Sequence, residues 1–180
     1  DIFFNTPARM KFLKKDVTEG NQVAAIVDRM AISHPEISFR FIRDGKQMLI
    51  TSGNGDLKST IYSVLGKEIS DSLMSVDYSY DNMRLSSFVS KPTASRKSRA
   101  MQFFYINNRV VKSKTAMAAL EQAYKNTIMV GRFPACVLNI ELNPAQVDVN
   151  VHPAKTEVRF ANEKPVFDLV YYGVKTAIEN

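Results

Sequence analysis

Two spacings of apolar residues run through the chain and predict alternating helices and strands. Apolar residues three or four positions apart predict a helix over 18–33, where Thr18 would be the N-cap, and a second helix over 57–66. The same spacing predicts two more helices, over 113–126 and 163–178. Alternating residues and short apolar runs in the remaining segments are typical of strands.

Strands and tight turns follow the same pattern. Strands are predicted at 37–43, 46–52, 72–80, 83–90, from 101 to an end at Asn107-Asn108, and at 134–142, 147–151 and 156–160. Asp44-Gly45 predicts a hairpin, because both turn positions favour residues that accept positive φ, and Asp81-Asn82 predicts another turn. The segment KPTASRKSRA (91–100) has no apolar anchor, so we expect a mobile polar loop there.

The interleaving of these elements defines the expected fold. The class is α/β, a mixed β-sheet with helices on one face, since strands and helices alternate without internal repeats. Residues 1–15 contain the turn signature Asn5-Thr6-Pro7 and a group of basic residues, and we interpret them as a connecting segment. Residues 16–180 are then one domain, long enough to bury a sizeable core.

The stretch VDVNVHPAKTEVRF (147–160) opens with three valines that alternate with three polar residues. Pro153 ends this strand pattern, since proline cannot donate to a ladder, and the turn lifts Lys155 away from the sheet. A lysine ammonium donates three hydrogen bonds from a compact charge, which suits the terminal phosphate of a nucleotide. We expect His152 to order the turn rather than to act as a base.

Composition and charge narrow the class of protein. The chain has 180 residues, and 45% of them are apolar. It contains one cysteine, which excludes an internal disulfide. We expect Cys136 to lie in a core strand and the protein to work in a reducing setting. No apolar run is long enough for a membrane span, and a chain that opens on Asp1 suggests a piece of a longer protein.

The net charge of +6 is unevenly distributed. Residues 84–120 hold eight basic residues and no acid, so the rest of the chain sums to 16 basic minus 18 acidic residues, or −2. A neutral body with one basic segment is typical of a protein that binds a polyanion. The alternative is a solvated, Lys- and Arg-rich loop.

The sequence lacks the residues that a metal site, a glycine-rich phosphate-binding loop or a nucleophile motif would require. Two histidines and one cysteine do not supply a tetrahedral metal site at useful spacing, so no metal is expected. The segment GNGD (53–56) matches neither glycine-rich phosphate-binding pattern, and no nucleophile elbow occurs. The consecutive aromatic residues Phe103, Phe104 and Tyr105 are expected to enter the core rather than to stack on bases.

Four segments carry a family resemblance: FFNTPAR with KFL (3–13), YINNRVV (105–111), GRFP (131–134) and VDVNVHPAKTEVRF (147–160). Over nearly the whole chain they resemble the second half of the N-terminal region of the MutL family of DNA mismatch repair proteins. In that family a GHKL-type ATPase domain precedes this part. The resemblance also implies a transducer-type domain with a left-handed β-α-β crossover, whereas right-handed crossovers are the ordinary expectation.

The resemblance assigns roles by position. It implies that Lys155 contacts the γ-phosphate of ATP held in the adjacent ATPase domain. The DNA-contacting residues would be Lys11, Lys14, Arg29, Arg109 and Lys164, with Arg96, Lys97 and Arg99 as further candidates. The family usually has glycine where Asn108 stands, and since asparagine tolerates the left-handed region, we expect the turn before Arg109 to form.

The resulting prediction is a mismatch repair domain that binds DNA non-specifically and couples ATP binding to dimerisation through Lys155. The isolated chain is not expected to be an enzyme or to hold a cofactor. ATP and magnesium belong to the full-length protein, a slow ATPase by resemblance. Expected partners are DNA, the protein's own ATPase domain, a second copy and a mismatch-recognition protein. The expected location of the protein is the bacterial cytoplasm, at the nucleoid and not at a membrane.

Two alternatives stay open at this point. A ribosome- or RNA-associated binding module of similar fold would use the same basic segment on an RNA backbone. A small free-standing enzyme would use His152 and Lys155.

Overall fold

The chain forms two compact units, residues 1–65 and residues 66–180. This computed structural model describes the backbone of residues 7–149 and 157–180, and side chains over 17–148 and 157–180. The predicted organisation, a connecting segment to residue 15 and one domain over 16–180, differs from this grouping. One helix runs across residue 15, and the chain divides after the predicted helix over 57–66.

The first unit contains two helices and a hairpin. In chain order its elements are α1 (Pro7–Ser33), β1 (Arg40–Arg43), β2 (Lys46–Ile50) and α2 (Leu57–Leu65). The predicted hairpin is confirmed, with Asp44 and Gly45 at φ 52° and 74° between the antiparallel strands β1 and β2. Gly66 follows α2 at φ 91° and ψ 170°, a backbone conformation that glycine adopts more readily than any other residue.

Helix α1 begins earlier than the sequence predicts. Its first residue is Pro7 and not a residue after Thr18, so the predicted N-cap is wrong. Proline suits the first turn of a helix, because the N–H that it lacks would have no partner inside the helix. The residues that follow, RMKFLKK (9–15), include several good helix formers and carry the helix through the expected boundary.

The second unit is built on a five-stranded sheet. The helices are α3 (Lys67–Asp71), α4 (Lys114–Ala123) and α5 (Glu163–Glu179). The strands are β3 (Leu73–Tyr80), β4 (Met83–Ser90), β5 (Gln102–Ile106), β6 (Arg109–Val111), β7 (Cys136–Glu141), β8 (Val147–Val149) and β9 (Val158–Phe160). The sheet order is β3-β4-β7-β5-β6, while β8 and β9 pair separately.

The sheet is mixed, as predicted. Strands β5 and β7 are parallel, and the other neighbours in the five-stranded sheet are antiparallel. The chain connects β5 to β7 through β6 and α4. The handedness of that crossover stays a prediction.

Helices α4 and α5 share one core with the sheet. Alternate residues of β7, namely Cys136, Leu138 and Ile140, are buried in this core together with Leu120 of α4 and Leu169 of α5. The prediction that Cys136 is a core residue is therefore confirmed. The period of two puts every second strand residue on the helix side, which confirms the α/β class with helices packed on the sheet.

Two hairpins end in paired polar residues with positive φ. Asp81 and Asn82 join β3 to β4 at φ 51° and 60°, as predicted. Asn107 and Asn108 join β5 to β6 at φ 48° and 67°, so the strand that begins near residue 101 ends at these two residues, as predicted. Asn and Asp accept this conformation better than other non-glycine residues.

The prediction of a mobile loop over 91–100 is wrong. The segment starts with a 3-10 turn at Pro92–Ala94, and Arg96 then forms an isolated β-bridge with Phe133. Two backbone hydrogen bonds close that bridge, from Arg96 N–H to the Phe133 carbonyl at 2.7 Å and in the reverse direction at 2.8 Å. A segment without an apolar anchor of its own can still be held by backbone hydrogen bonds. Amino-acid composition does not reveal such bonds.

Gly173 allows α5 to approach the sheet closely. A Cβ at this position would lie 2.7 Å from Cδ2 of Leu85 and 3.1 Å from Cβ of Tyr78. Leu85 is fully buried, so a shift of its side chain would disturb the packing of its neighbours in the core. Helix α5 and the strands β3 and β4 are therefore in close contact at Gly173, where a side chain would not fit.

Gly173→Val should lower the free energy of unfolding by about 1–3 kcal/mol, because the added methyl groups would overpack the contact with Leu85. Denaturant unfolding measures the change. Thr176→Val places the same side chain on the exposed side of α5 and should change stability by less than about 0.5 kcal/mol. Equal stability of both variants would contradict the close approach.

Candidate nucleic-acid interface

Arg109 stands at the start of β6, directly after the Asn107-Asn108 turn. Its side chain is exposed. Among the residues that the structure describes, Arg109 makes no side-chain hydrogen bond or ion pair. A salt bridge would give Arg109 a purely structural role, but Arg109 forms none within this part of the chain. The charge of Arg109 faces solvent.

The turn that presents Arg109 is held by side chains to the end of β7. The Asn107 side-chain amide donates to the Leu142 carbonyl at 2.9 Å, and the Leu142 N–H donates back to Asn107 Oδ1 at 3.1 Å. The Asn107 N–H also donates to the Ile140 carbonyl at 2.9 Å. Asn107 thus continues the ladder past the last residues of β5 and β7.

Asn139 holds the second residue of the turn. The Asn108 N–H donates to Asn139 Oδ1, and Asn139 Nδ2 donates to Asn108 Oδ1, both at 3.0 Å. Asn139 is 7% exposed inside the otherwise apolar strand CVLNIE. Sequence reasoning missed this residue, although a single amide in a buried strand is itself a signal that it needs a specific polar partner.

Arg96 and Arg99 take part in internal contacts. Arg96 lies 3.5 Å from Glu68. Arg99 forms a two-pronged pair with Glu121, at 2.9 Å for both bonds, and its guanidinium lies 4.3 Å from the centre of the Phe133 ring. The hydrogen bonds to Glu121 raise the pKa of Arg99. These contacts favour an anchoring role for Arg99. Lys97, which lies between Arg96 and Arg99 in the sequence, is exposed.

Half of the basic segment over 84–120 pairs with acids from outside it. The paired residues are Arg84 with Asp77 and Glu141, Arg96 with Glu68, Arg99 with Glu121, and Lys114 with Glu157. Within the described part of the chain, the other four have no ion pair, namely Lys91, Lys97, Arg109 and Lys112. Exposed pairs contribute little to stability, but they reduce the charge that the segment offers to a polyanion.

The predicted cations of the second unit lie at two ends of the sheet. Gln102 pairs with Cys136 at the end near Arg96–Arg99, and Ile106 pairs with Ile140 at the end that carries Arg109. Four residue steps along a strand separate these ends by about 13 Å. The structure therefore brings Arg96, Lys97 and Arg99 together but keeps them apart from Arg109.

Lys164 lies on the first turn of α5 and is exposed. Its ammonium donates to Asp168 at 3.0 Å, and this hydrogen bond raises the pKa of Lys164. Tyr80 and Tyr172 are close enough to add to the same shift. The turn that follows β3, Asp81-Asn82, and the Asn107-Asn108 turn line one shallow cleft.

The remaining predicted site residues belong to other parts of the chain. Arg29 is half-buried in α1, where burial raises the pKa of Asp28 and the charge of Arg29 opposes that shift. Lys11 and Lys14 lie on α1, but their side chains are outside the described residues. Lys155 and His152 also lie outside the described residues.

Other predicted properties of the surface can be compared with the described residues. Phe103, Phe104 and Tyr105 are all buried, as expected, so none offers a face for base stacking. No group of three His, Cys, Asp or Glu side chains over 17–148 and 157–180 is arranged to hold a metal ion. None of the helices described combines the length and the apolar character that a membrane crossing requires.

Solved structures share this fold. The N-terminal domain of a DNA repair protein superposes with a TM-score of 0.77 at 27% identity, covering 98% of this chain and 59% of that one. The Aquifex aeolicus MutL ATPase domain complexed with ADP superposes with a TM-score of 0.57 over 93% of this chain and 54% of that one; at 24% identity this likeness concerns the fold alone. The fold therefore defines an α/β domain of the class found in DNA repair proteins.

The sequence comparisons identify the family within that class. Residues 61–179 match the family described as "DNA mismatch repair protein, C-terminal domain". The chain is 43% identical over 178 residues to MutL of Thermoanaerobacter pseudethanolicus and 41% identical over 179 residues to MutL of Clostridium botulinum. The chain belongs to the MutL family of DNA mismatch repair proteins. Both matches include 99% of this chain. The chain spans only 29% of the length of the first relative and 27% of the second.

Asn139→Leu should lower the free energy of unfolding by about 1–3 kcal/mol, because it leaves the Asn108 N–H and side-chain oxygen without their partner. Chemical denaturation measures the difference. Gln122→Leu makes the same chemical change on the exposed side of α4 and should be close to neutral. An Asn139→Leu protein as stable as the wild type would show that these bonds do not hold the turn.

Proposed function

We propose that this chain is the part of a mismatch repair protein that binds DNA without sequence preference and contributes Lys155 to the ATP site of an adjacent ATPase domain. The observation that carries the DNA-binding part is Arg109, exposed on a turn that four side-chain hydrogen bonds hold in place. Membership of the mismatch repair family supports DNA as the polyanion.

Arg109 suits phosphate contact for two reasons. A guanidinium binds phosphate oxygens through paired N–H groups, and it stays charged at any physiological pH. The fixed turn means that little conformational freedom is lost when a phosphate binds. Base readout is not part of the proposal, because phosphate contacts position a protein without conveying sequence.

Lys164 and Lys97 would extend this phosphate contact. Lys164 can exchange its exposed bond with Asp168 for a phosphate at small cost, since surface ion pairs are weak. Lys97 is exposed and unpaired among the described residues. Lys11, Lys14 and Arg29 stay candidates by resemblance.

The nucleotide part of the proposal rests on the motif around Lys155. The sequence HPAK lies between two strands, β8 and β9, that pair with each other. The solved MutL ATPase domain with ADP is nearly twice as long as the part that this chain covers, and we place the ATP site in the remainder. ATP bound there with magnesium would supply the polyphosphate charge that Lys155 senses, and closure of the two parts would favour dimerisation.

Arg109→Glu should weaken binding of the full-length protein to duplex DNA by about tenfold at low salt, since a charge-assisted contact is replaced by repulsion. The slope of log affinity against log salt should fall by about one unit. Fluorescence anisotropy at several salt concentrations measures both. Arg40→Glu changes the net charge equally on β1 and should leave the slope nearly unchanged. An unchanged slope for Arg109→Glu would remove Arg109 from the phosphate contacts.

Lys155→Ala in the full-length protein should reduce ATP-driven dimerisation and ATP turnover by about tenfold, the effect expected from the loss of one charge-assisted bond to a phosphate. Analytical ultracentrifugation with a non-hydrolysable ATP analogue and a steady-state phosphate assay measure the two effects. Lys67→Ala removes an exposed lysine elsewhere and should have no effect. Wild-type dimerisation by Lys155→Ala would refute the γ-phosphate role.

A further inference from the structure

The loop that joins α4 to β7 exposes two apolar side chains at its tip. Met129 is 80% exposed and Val130 is 103% exposed, the highest values among the large apolar residues that the structure describes. Isolated apolar residues on a surface are ordinary, but these two are adjacent at a loop tip, and the described part of the chain leaves both uncovered.

The tip is held in a fixed shape. Behind it, the N–H groups of Thr127 and Ile128 both donate to the carbonyl of Tyr124, which is itself buried. In front, the Arg132 N–H donates to the Met129 carbonyl at 3.1 Å, and Gly131 takes φ 84° to close the turn. The tip therefore projects as a rigid point rather than as a loose loop.

A second segment supports the tip from the side. The guanidinium of Arg132 donates to the Ser95 carbonyl at 2.7 Å and to the Ser95 hydroxyl at 3.2 Å. Arg96 forms its antiparallel β-bridge with Phe133, the residue after Arg132. Lys97 follows Arg96 in the chain and has an exposed side chain.

The surroundings of the tip are positive. Between Asn82 and Ile140 the chain contains ten basic residues and a single acid, Glu121, and the contacts of Arg99 neutralise that acid. Lys125 is exposed within the loop itself. Glu68 adds an acid from outside this range, and it pairs with Arg96. An apolar tip in a surface with more cations than acids complements a partner with an apolar interior and a polyanionic outside.

We propose that Met129 and Val130 form a wedge that enters the minor groove of duplex DNA and partly separates two base pairs, while Lys125 and Lys97 contact the phosphates on either side. Apolar side chains inserted between base steps are a recurrent way of kinking a duplex, and methionine is among the residues that serve as wedges. The inference deepens the proposed DNA binding and rests on it. A protein partner is less favoured, because its surface would bring mixed charges to a rim in which cations outnumber acids.

The test uses the full-length protein with Met129→Ser and Val130→Ser combined. Affinity for a short fluorescein-labelled duplex should fall about tenfold, because the apolar contact is lost. The salt slope should stay that of the wild type, because no phosphate contact is removed. A 2-aminopurine base in the duplex should brighten on binding of the wild type, as it unstacks, and should stay dim with the double variant.

The matched control is Met48→Ser with Ile50→Ser, two half-exposed apolar residues of β2. It should bind DNA and unstack 2-aminopurine as the wild type does. Wild-type affinity and fluorescence for the tip variant would overturn the wedge. So would a lower thermal unfolding midpoint, since the tip would then pack on another part of the protein, or loss of binding only to a mismatch-recognition protein.

The two proposals fail in different ways. If the wild type itself shows no salt-dependent affinity for duplex DNA, the proposed function is wrong and the wedge falls with it. If the wild type binds and Arg109→Glu changes the slope while the tip variant does not differ from the wild type, the wedge alone is wrong.

Discussion

The pairing of β7 with the Asn107-Asn108 turn is the constraint on which the rest of the second unit depends. Strand β7 lies between β4 and β5, and its side chains alternate between the helix core and the opposite face. Asn139 uses the opposite face to hold Asn108, while Leu138 and Ile140 on either side bury themselves under the helices. One strand thus fixes both the core and the turn that presents Arg109, because a shift of register by one residue would exchange the two faces.

Electrostatic pairing decides which of the many basic residues remain available. A net charge describes a chain as a whole, yet the second unit pairs Arg84 with Asp77 across one hairpin and pairs Arg96 and Arg99 with acids that are distant in sequence. The cations left over are those on turns and loop ends, such as Arg109 and Lys97, where no acid is within reach in the described part of the chain. In a binding protein this division has a physical use, since a paired arginine stiffens the scaffold and an unpaired one attracts the ligand.

The two groups of free cations suit the proposed function through their spacing. The ends of the sheet are about 13 Å apart, close to the distance that a DNA strand advances in roughly four nucleotides. In the proposed mode, Arg109 at one end and the cationic rim of the 129–130 tip at the other would follow one duplex. Contacts of this kind supply affinity without sequence preference, as repair of a mismatch in any sequence context would require.

The sequence by itself determined the elements, the class of fold and the family, because apolar period, turn chemistry and the motif around Lys155 are all local. It also named Arg109, and it anticipated that Asn108 accepts the left-handed conformation. Only the tertiary structure decided that residues 91–100 are anchored to Phe133 and that Arg99 is bound to Glu121. Those outcomes depend on backbone pairing and on side chains 22 or more positions apart, and no local pattern encodes which distant group will arrive.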